Sequence, residues 1–170
     1  MPVIKVNGID IYHEIHGEGE SVIFVNGNHT STAGWMFQVP EFQKNYKVIL
    51  YDHRDQGQTE TSSVDYDFNQ FVDDLSELMN ALKIEKANIV GLSFGSTVCM
   101  QFANTYPEKI NKLILMGAMS EFSPGLKYIY DTIVKMIELG KLEEVFKLLS
   151  ILAFSEKSLD TFAPQMPTIS

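Results

Sequence analysis

Gly91-Leu92-Ser93-Phe94-Gly95 is the most informative part of the sequence, because of the segments that flank it. Residues 86–90 read Lys-Ala-Asn-Ile-Val, which is typical of a short buried strand in a parallel sheet. Residues 96–103 carry apolar side chains at helical spacing. A serine at a strand-to-helix corner, with glycine two positions away on each side, forms a nucleophile elbow. The motif therefore predicts a nucleophilic Ser93 at the N-terminus of a helix, whose dipole favours developing negative charge.

Composition indicates a globular protein and limits its partners. The 170 residues suffice for one core, and 45% of them are hydrophobic and 21% charged. A formal net charge of −9 argues against nucleic acid or an anionic membrane as a partner, and no apolar run is long enough to span a membrane. The single cysteine, Cys99, cannot form an internal disulfide, and we expect a core residue there. Because one cysteine suits a reducing compartment and no signal segment is seen in the sequence, we expect a cytoplasmic location. We also expect no cofactor and no metal.

Strand and helix signals alternate along the first two thirds of the chain. Strands are predicted, in chain order, at residues 3–6, 9–15, 21–25, 46–51, 86–90 and 110–117. Helices are predicted at residues 35–42, at 68–82 and after the elbow; the first is broken near Pro40, and the second starts with a capping box of Asp67 and Gln70. This order predicts an α/β fold, with a mostly parallel sheet, an N-terminal antiparallel hairpin and helices on both faces.

The pattern changes at about Ser120. Residues 126–154 read as almost entirely helical, with a break at Gly140, and no strand is predicted after Gly117. We therefore expect residues 1–119 to form the core and residues 120–170 a helical lid over the carboxyl edge of the sheet, where open α/β folds bind their ligands.

Two further motifs accompany the elbow. Val25-Asn26-Gly27-Asn28 follows the third predicted strand, and residues 52–59 read Asp-His-Arg-Asp-Gln-Gly-Gln-Thr after the fourth. Together the three motifs resemble the α/β-hydrolase fold family, in its lid-bearing branch of serine esterases, lactonases and C–C hydrolases. Relatives have His-Gly at positions 26–27 and the pattern D-x-R-G-x-G-x-S at 52–59. This chain departs from the family at Asn26, at Asp55 and at Ser96, where many relatives carry another glycine.

The resemblance implies an esterase- or lipase-like serine hydrolase. It would cleave a small-molecule ester, thioester or lactone through an acyl-enzyme, with Ser93 as the catalytic nucleophile and the backbone N–H groups of Asn28 and Phe94 as the oxyanion hole. Asn26 and the loop that begins at Asp52 are expected to be structural. C–C bond hydrolysis stays open, because a fold and a nucleophile do not determine the substrate.

The sequence offers no evident general base for Ser93. In this family the order along the chain is Ser, then Asp or Glu, then His. The four histidines here are His13, His16, His29 and His53, and all of them precede the elbow. The first two are expected at the surface and His53 in a structural role. His29 could line a pocket, as a base or as a substrate contact. Glu121 stands where some relatives place the triad acid, and the alternative is a solvated residue at a lid hinge.

Relatives of this kind continue with two further strands that carry the acid and the base. We therefore expect an N-terminal fragment that lacks these last strands, which would leave the strand at 110–117 as an apolar edge. A truncated gene product, one piece of a split hydrolase, and a subunit completed by a C-terminal chain or by a second copy all remain open. The alternative from a different functional class is a non-catalytic α/β-hydrolase-like module that binds a small molecule or a protein.

Overall fold

Strands and helices alternate along the computed structural model, which describes residues 2–119, 121 and 123–153. The strands are β1 (Val3–Val6), β2 (Ile9–His16), β3 (Glu20–Val25), β4 (Tyr46–Tyr51), β5 (Ala87–Leu92) and β6 (Ile110–Met116). The α-helices are α1 (Val39–Phe42), α2 (Asn69–Ala81), α3 (Phe94–Thr105), α4 (Pro124–Glu138) and α5 (Leu142–Ala153). Two 3₁₀ turns, Thr32–Trp35 and Pro107–Lys109, complete the described elements.

The six strands form one sheet in the order β1-β2-β4-β3-β5-β6. β1 and β2 form an antiparallel hairpin, β2 is antiparallel to β4, and the remaining neighbours are parallel. The hairpin turn has positive φ at Asn7 and Gly8, which matches the right-handed twist of the two strands. The predicted α/β fold with its N-terminal hairpin is therefore confirmed. Among the described strands β6 lies at the edge, with Ile114 and Met116 exposed.

Apolar side chains fill both faces of the central strands. On one face, a core cluster includes Ile23, Ile49, Ile89, Leu75, Leu78, Val98 and Phe102, contributed by strands and by α2 and α3. On the other face, Phe24, Val48, Leu50 and Val90 pack with Trp35. A strand buried on both sides needs consecutive apolar residues, which is why β3, β4 and β5 read as unbroken hydrophobic runs.

The helix predicted over residues 35–42 is wrong in its bounds. Thr32–Trp35 is a 3₁₀ turn, and α1 begins only at Val39. Pro40 lies in the first turn of α1 and does not break a longer helix. Proline suits that place, because the N–H groups of a first turn have no intrahelical acceptor and the ring sets a helical φ.

A buried ion pair joins the loop after β4 to α2. Arg54, the single arginine of the chain, donates to Asp74 from Nε at 2.6 Å and from Nη2 at 2.8 Å. Both side chains are only 2% exposed. The side-chain amides of Asn7 and Gln70 also donate to the Asp74 carboxylate, at 2.8 and 3.2 Å. The carboxylate is thus well supplied with donors, as a buried charge requires.

This use of Gln70 explains why the predicted capping box is wrong. The residue before α2 is Phe68, which has helical backbone angles and no side-chain cap. Asp67 supplies half of the expected arrangement, since its carboxylate accepts the N–H of Asn69 at 2.8 Å. The other half is missing because the Gln70 amide bonds to Asp74 instead.

The chain divides into two compact units, Met1–Ser120 and Glu121–Ser170. In the second unit, the Ser123 hydroxyl caps α4 by accepting the N–H of Leu126 at 3.2 Å. Gly140, with φ 71°, separates α4 from α5 as the sequence predicts. Phe154, the predicted end of the helical segment, lies outside the described residues, and the lid role stays a prediction. None of the helices described in the two units is long and apolar enough to cross a membrane.

The Arg54–Asp74 pair gives a stability prediction. Asp74→Ala should lower the free energy of unfolding by about 3–5 kcal/mol, because the buried guanidinium loses its counter-charge. Urea unfolding followed by circular dichroism measures the change. Asp65→Ala, at an exposed carboxylate, is the control and should cost about 0.5 kcal/mol or less. A loss below about 1 kcal/mol for Asp74→Ala would contradict the importance of the pair.

Candidate active site

Ser93 occupies a strained position at the corner between β5 and α3. Its φ of 52° and ψ of −116° lie in a region that residues with a side chain rarely adopt. Backbone hydrogen bonds hold it there. Its N–H donates to the Met116 carbonyl at 2.8 Å, and its carbonyl accepts the N–H groups of Ser96 and Thr97 at 2.9 and 3.3 Å. Such strain persists only where the surrounding structure enforces it.

The two glycines of the elbow are required by close contacts. A Cβ on Gly91 would lie 2.8 Å from both Cys99 Sγ and the Gly95 carbonyl oxygen. A Cβ on Gly95 would overlap the carbonyl oxygens of Val25 and Asn26 at the end of β3. Backbone atoms cannot move aside as a flexible side chain can. Glycine at these positions therefore lets α3 begin directly against the ends of β3 and β5.

The loop after β3 packs against the elbow at Gly27, the residue before Asn28. A Cβ on Gly27 would lie 3.5 Å from Ser93 Cβ and 3.3 Å from the Leu92 carbonyl oxygen. Ser93 is half-buried, and its side chain does not cap α3. Among the described residues, the N–H groups of Asn28 and Phe94 donate to no other group. The Ser93 hydroxyl and the Phe94 N–H therefore lie at the corner, and Asn28 follows Gly27 in the loop that packs against it.

Asn26 fixes this loop through its side-chain amide. Its Nδ2 donates to the Tyr51 carbonyl at 2.8 Å and to Asp52 Oδ1 at 3.2 Å. Its Oδ1 accepts the indole N–H of Trp35 at 2.6 Å. With every polar atom of the buried amide engaged, Asn26 connects the ends of β3 and β4 and does not take part in proton transfer.

Asp52 organises the loop after β4 from a fully buried position. Burial raises the pKa of its carboxyl, and the donated N–H groups of Gln58, at 2.9 Å, and Thr32, at 2.7 Å, oppose that rise. A Cβ on Gly57, which has φ 56°, would overlap the Asp52 carboxylate. The glycine is therefore needed for the chain to wrap around the acid.

His53 is buried in a structural position. Its Nε2 lies 3.1 Å from the Asn26 carbonyl oxygen, and its ring packs edge-on against Tyr51, Phe71 and Phe94. Burial lowers the pKa of His53 to about 4, although the hydrogen bond to Asn26 opposes this change. The imidazole is therefore neutral at physiological pH.

The other three histidines lie outside the elbow. His16 and His29 have hydrogen-bonding partners elsewhere, namely Glu14 and Asn28. His29 is exposed, with φ 57°, and its Nε2 lies 3.3 Å from the side-chain amide of Asn28. His13 and His16 lie on β2 and are half-buried, so the expected surface position is only partly correct. Within residues 2–119, no histidine or carboxylate is hydrogen-bonded to Ser93.

Glu121 is exposed and belongs to the second unit, so its role in a triad or at a hinge stays a prediction. Across the described residues, no group of three or more His, Cys, Asp or Glu side chains could hold a metal ion. Cys99 is fully buried, and burial raises the pKa of its thiol well above the ordinary value. Cys99 is therefore a core residue, as predicted, and a poor nucleophile.

Several residues around the site could not be assigned from the sequence motifs. Gln56 donates from Nε2 to the Asn28 side chain at 3.4 Å, and Trp35 bonds to Asn26. Asp74 could have been recognised from the sequence. It lies beside Leu75 on the apolar side of α2, where a carboxylate becomes buried and therefore needs a cationic partner.

His53 predicts a pH dependence of stability. Its folded pKa of about 4 lies below the ordinary value of 6.5, so the unfolded state binds more protons between these values and stability falls as the pH falls. Between about pH 8 and about pH 5, His53 should cost the wild type about 2 kcal/mol. Urea unfolding at both pH values measures this loss.

Two variants isolate the contribution of His53. His53→Gln keeps an N–H donor for the Asn26 carbonyl but does not titrate, so it should lose about 2 kcal/mol less than the wild type over the same pH change. His29→Gln, at an exposed histidine, should keep the wild-type dependence. An equal pH dependence in His53→Gln and the wild type would contradict the assignment.

Sequence comparison identifies hydrolase relatives. The sequence model of the family described as alpha/beta hydrolase fold matches residues 20–137. The 2-hydroxymuconate semialdehyde hydrolase of Pseudomonas sp. (strain CF600) is 31% identical over 136 residues, which cover 78% of this chain and 46% of that protein. The chain thus spans about half the length of the curated relatives it matches.

Solved structures give the same result. MGS-M2, an alpha/beta hydrolase enzyme from a Medee basin deep-sea metagenome library, matches with a TM-score of 0.90 and 29% identity, over 97% of this chain and 62% of that one. The enol-lactonase from Burkholderia xenovorans LB400 matches with a TM-score of 0.64 and 30% identity, over 66% of this chain and 45% of that one. On its sequence and its fold, the chain belongs to the α/β-hydrolase fold family.

Proposed function

We propose that the protein is a serine hydrolase in which Ser93 attacks the acyl carbon of a carboxylic ester, a thioester or a lactone. The observation that carries this proposal is the strained serine at the N-terminus of α3. Within the part of the chain that the structure describes, the N–H of Phe94 and that of Asn28, in the neighbouring loop, have no acceptor. Family membership supports hydrolysis as the reaction type, because the relatives named above are hydrolases and a lactonase.

The reaction would proceed through an acyl-enzyme. Ser93 Oγ would bond to the carbonyl carbon, and the carbonyl oxygen would take the negative charge of a tetrahedral intermediate. The N–H groups of Asn28 and Phe94 would donate to that oxygen, and the positive end of the α3 dipole would add to the stabilisation. Collapse of the intermediate would expel the alcohol or thiol, and water would then release the acid.

Proton transfer from Ser93 requires a general base, because a serine hydroxyl is a weak nucleophile at neutral pH. His53 is a poor candidate, since it is buried and bonded to Asn26. His29 borders the proposed oxyanion loop, but its ring is engaged with Asn28. We therefore propose that the base comes from a part of the whole protein beyond the described residues.

A C–C hydrolase is the second candidate, and the similarity to 2-hydroxymuconate semialdehyde hydrolase favours it. Both reactions use attack at a carbonyl carbon and stabilisation of its oxygen, so the corner at Ser93 suits either of them. The leaving group distinguishes them, since it departs as an alcohol or thiol in one case and as a carbanion equivalent in the other. Product analysis with an ester and with 2-hydroxymuconate semialdehyde would separate the two.

A fluorophosphonate probe tests the nucleophile. In the whole protein as its gene encodes it, the probe should label Ser93, because an activated serine attacks the phosphorus centre and the N–H groups stabilise its oxygen. Peptide mapping by mass spectrometry locates the adduct. The 170-residue chain, assayed in parallel, reports whether these residues activate Ser93 by themselves.

Two serine variants control the labelling. Ser93→Ala should abolish it, and Ser63→Ala, at an exposed loop serine, should leave it unchanged. Labelling of the whole protein that survives Ser93→Ala would contradict the proposal. A whole protein that stays unlabelled would also overturn it and would favour a non-catalytic binding module.

A further inference from the structure

The hydrogen-bond ladder between β5 and β6 ends at the elbow. Leu92, the last residue of β5, pairs with Met116, the last residue of β6. The chain then turns from Leu92 into α3, so no further strand residue faces the N–H of Met116. Ser96 supplies the acceptor, because its Oγ accepts the Met116 N–H at 3.1 Å. A side chain of α3 thus extends the ladder past the end of its strand.

The same hydroxyl also has two carbonyl oxygens within reach. Ser96 Oγ lies 2.7 Å from the Gly91 carbonyl oxygen and 2.9 Å from that of Met116, and its single proton can be donated to either. Ser96 is 0% exposed, so water cannot replace these bonds. The hydroxyl therefore joins the first residue of the elbow to the end of β6.

These bonds close a ring that contains Ser93. The Ser93 N–H donates to the Met116 carbonyl at 2.8 Å, the Met116 N–H donates to Ser96 Oγ, and the Ser96 N–H donates to the Ser93 carbonyl at 2.9 Å. The residue after Met116 is also close, since a Cβ on Gly117 would lie 3.9 Å from Ser93 Cα. The position of the Ser93 N–H thus depends on where Met116 is held, and the Ser93 carbonyl is held by the first turn of α3.

We propose that Ser96 is a positioning residue for Ser93. Its buried hydroxyl fixes Met116, and Met116 with the first turn of α3 holds the strained backbone of the nucleophile. Loss of the hydroxyl would leave the Met116 N–H without an acceptor, and the end of β6 would relax away from the elbow. This inference rests on the proposed function only for its catalytic consequence, because the backbone restraint can be measured without activity.

Amide hydrogen exchange of the whole protein measures the restraint. Ser96→Ala should speed exchange at the Ser93 and Met116 amides by about tenfold relative to amides of α2. Cys99→Ala is the matched control, because it also removes one heavy atom from a fully buried side chain of α3. It should leave the relative rates of the two amides within about twofold of the wild type. Unchanged exchange in Ser96→Ala would overturn the proposal, as would equal acceleration in Cys99→Ala.

The fluorophosphonate reaction measures the catalytic consequence. Ser96→Ala should slow the labelling of Ser93 by about tenfold, with Cys99→Ala close to the wild type. Ser96→Thr, which keeps a hydroxyl, should recover most of the rate. Full labelling rates in Ser96→Ala would overturn the positioning role and leave the proposed function intact. A wild-type protein without labelling would refute the proposed function, and the exchange rates would still decide whether Ser96 restrains Ser93.

Discussion

The strained corner between β5 and α3 requires a fixed arrangement of the strands and loops around it. Ser93 can hold φ 52° and ψ −116° only while its neighbours on every side stay in place. Glycine at position 95 allows α3 to start against β3, and the end of β6 accepts the Ser93 N–H. Two of the three strands that meet here, β3 and β5, are mostly buried, and their close packing favours a rigid corner. The backbone of such a corner presents the serine side chain without a flexible loop.

Polar side chains behind the corner extend this rigidity to both neighbouring loops. Asn26 takes the place where the family commonly has histidine, and it uses its amide to join the ends of β3 and β4 and to bind Trp35. The Arg54–Asp74 pair performs a similar task between the loop after β4 and α2. Each group is buried and each is hydrogen-bonded, so the loops near Ser93 are positioned by bonds that water does not weaken.

The sequence predicts the sheet and its elbow because their signals are local. Consecutive apolar residues such as Ile89 and Val90 identify strands buried on both faces, and the glycine spacing identifies the turn. The predicted capping box was wrong because the Gln70 amide bonds to Asp74, four residues further along α2, and not to the start of the helix. The partners of the Ser96 hydroxyl could not be predicted, because the carbonyl and the N–H of Met116 lie 20 residues further along the chain, on β6. A local pattern does not report partners at that distance.

A crystal structure of the whole protein after reaction with a fluorophosphonate would test the role of Ser93 directly. We expect a covalent adduct on Ser93 Oγ, with a phosphonyl oxygen about 2.7–3.1 Å from the backbone nitrogens of both Asn28 and Phe94. The Ser93 backbone should keep its positive φ in the adduct. An adduct on another residue, or a phosphonyl oxygen that faces away from these two nitrogens, would contradict the proposed role of Ser93.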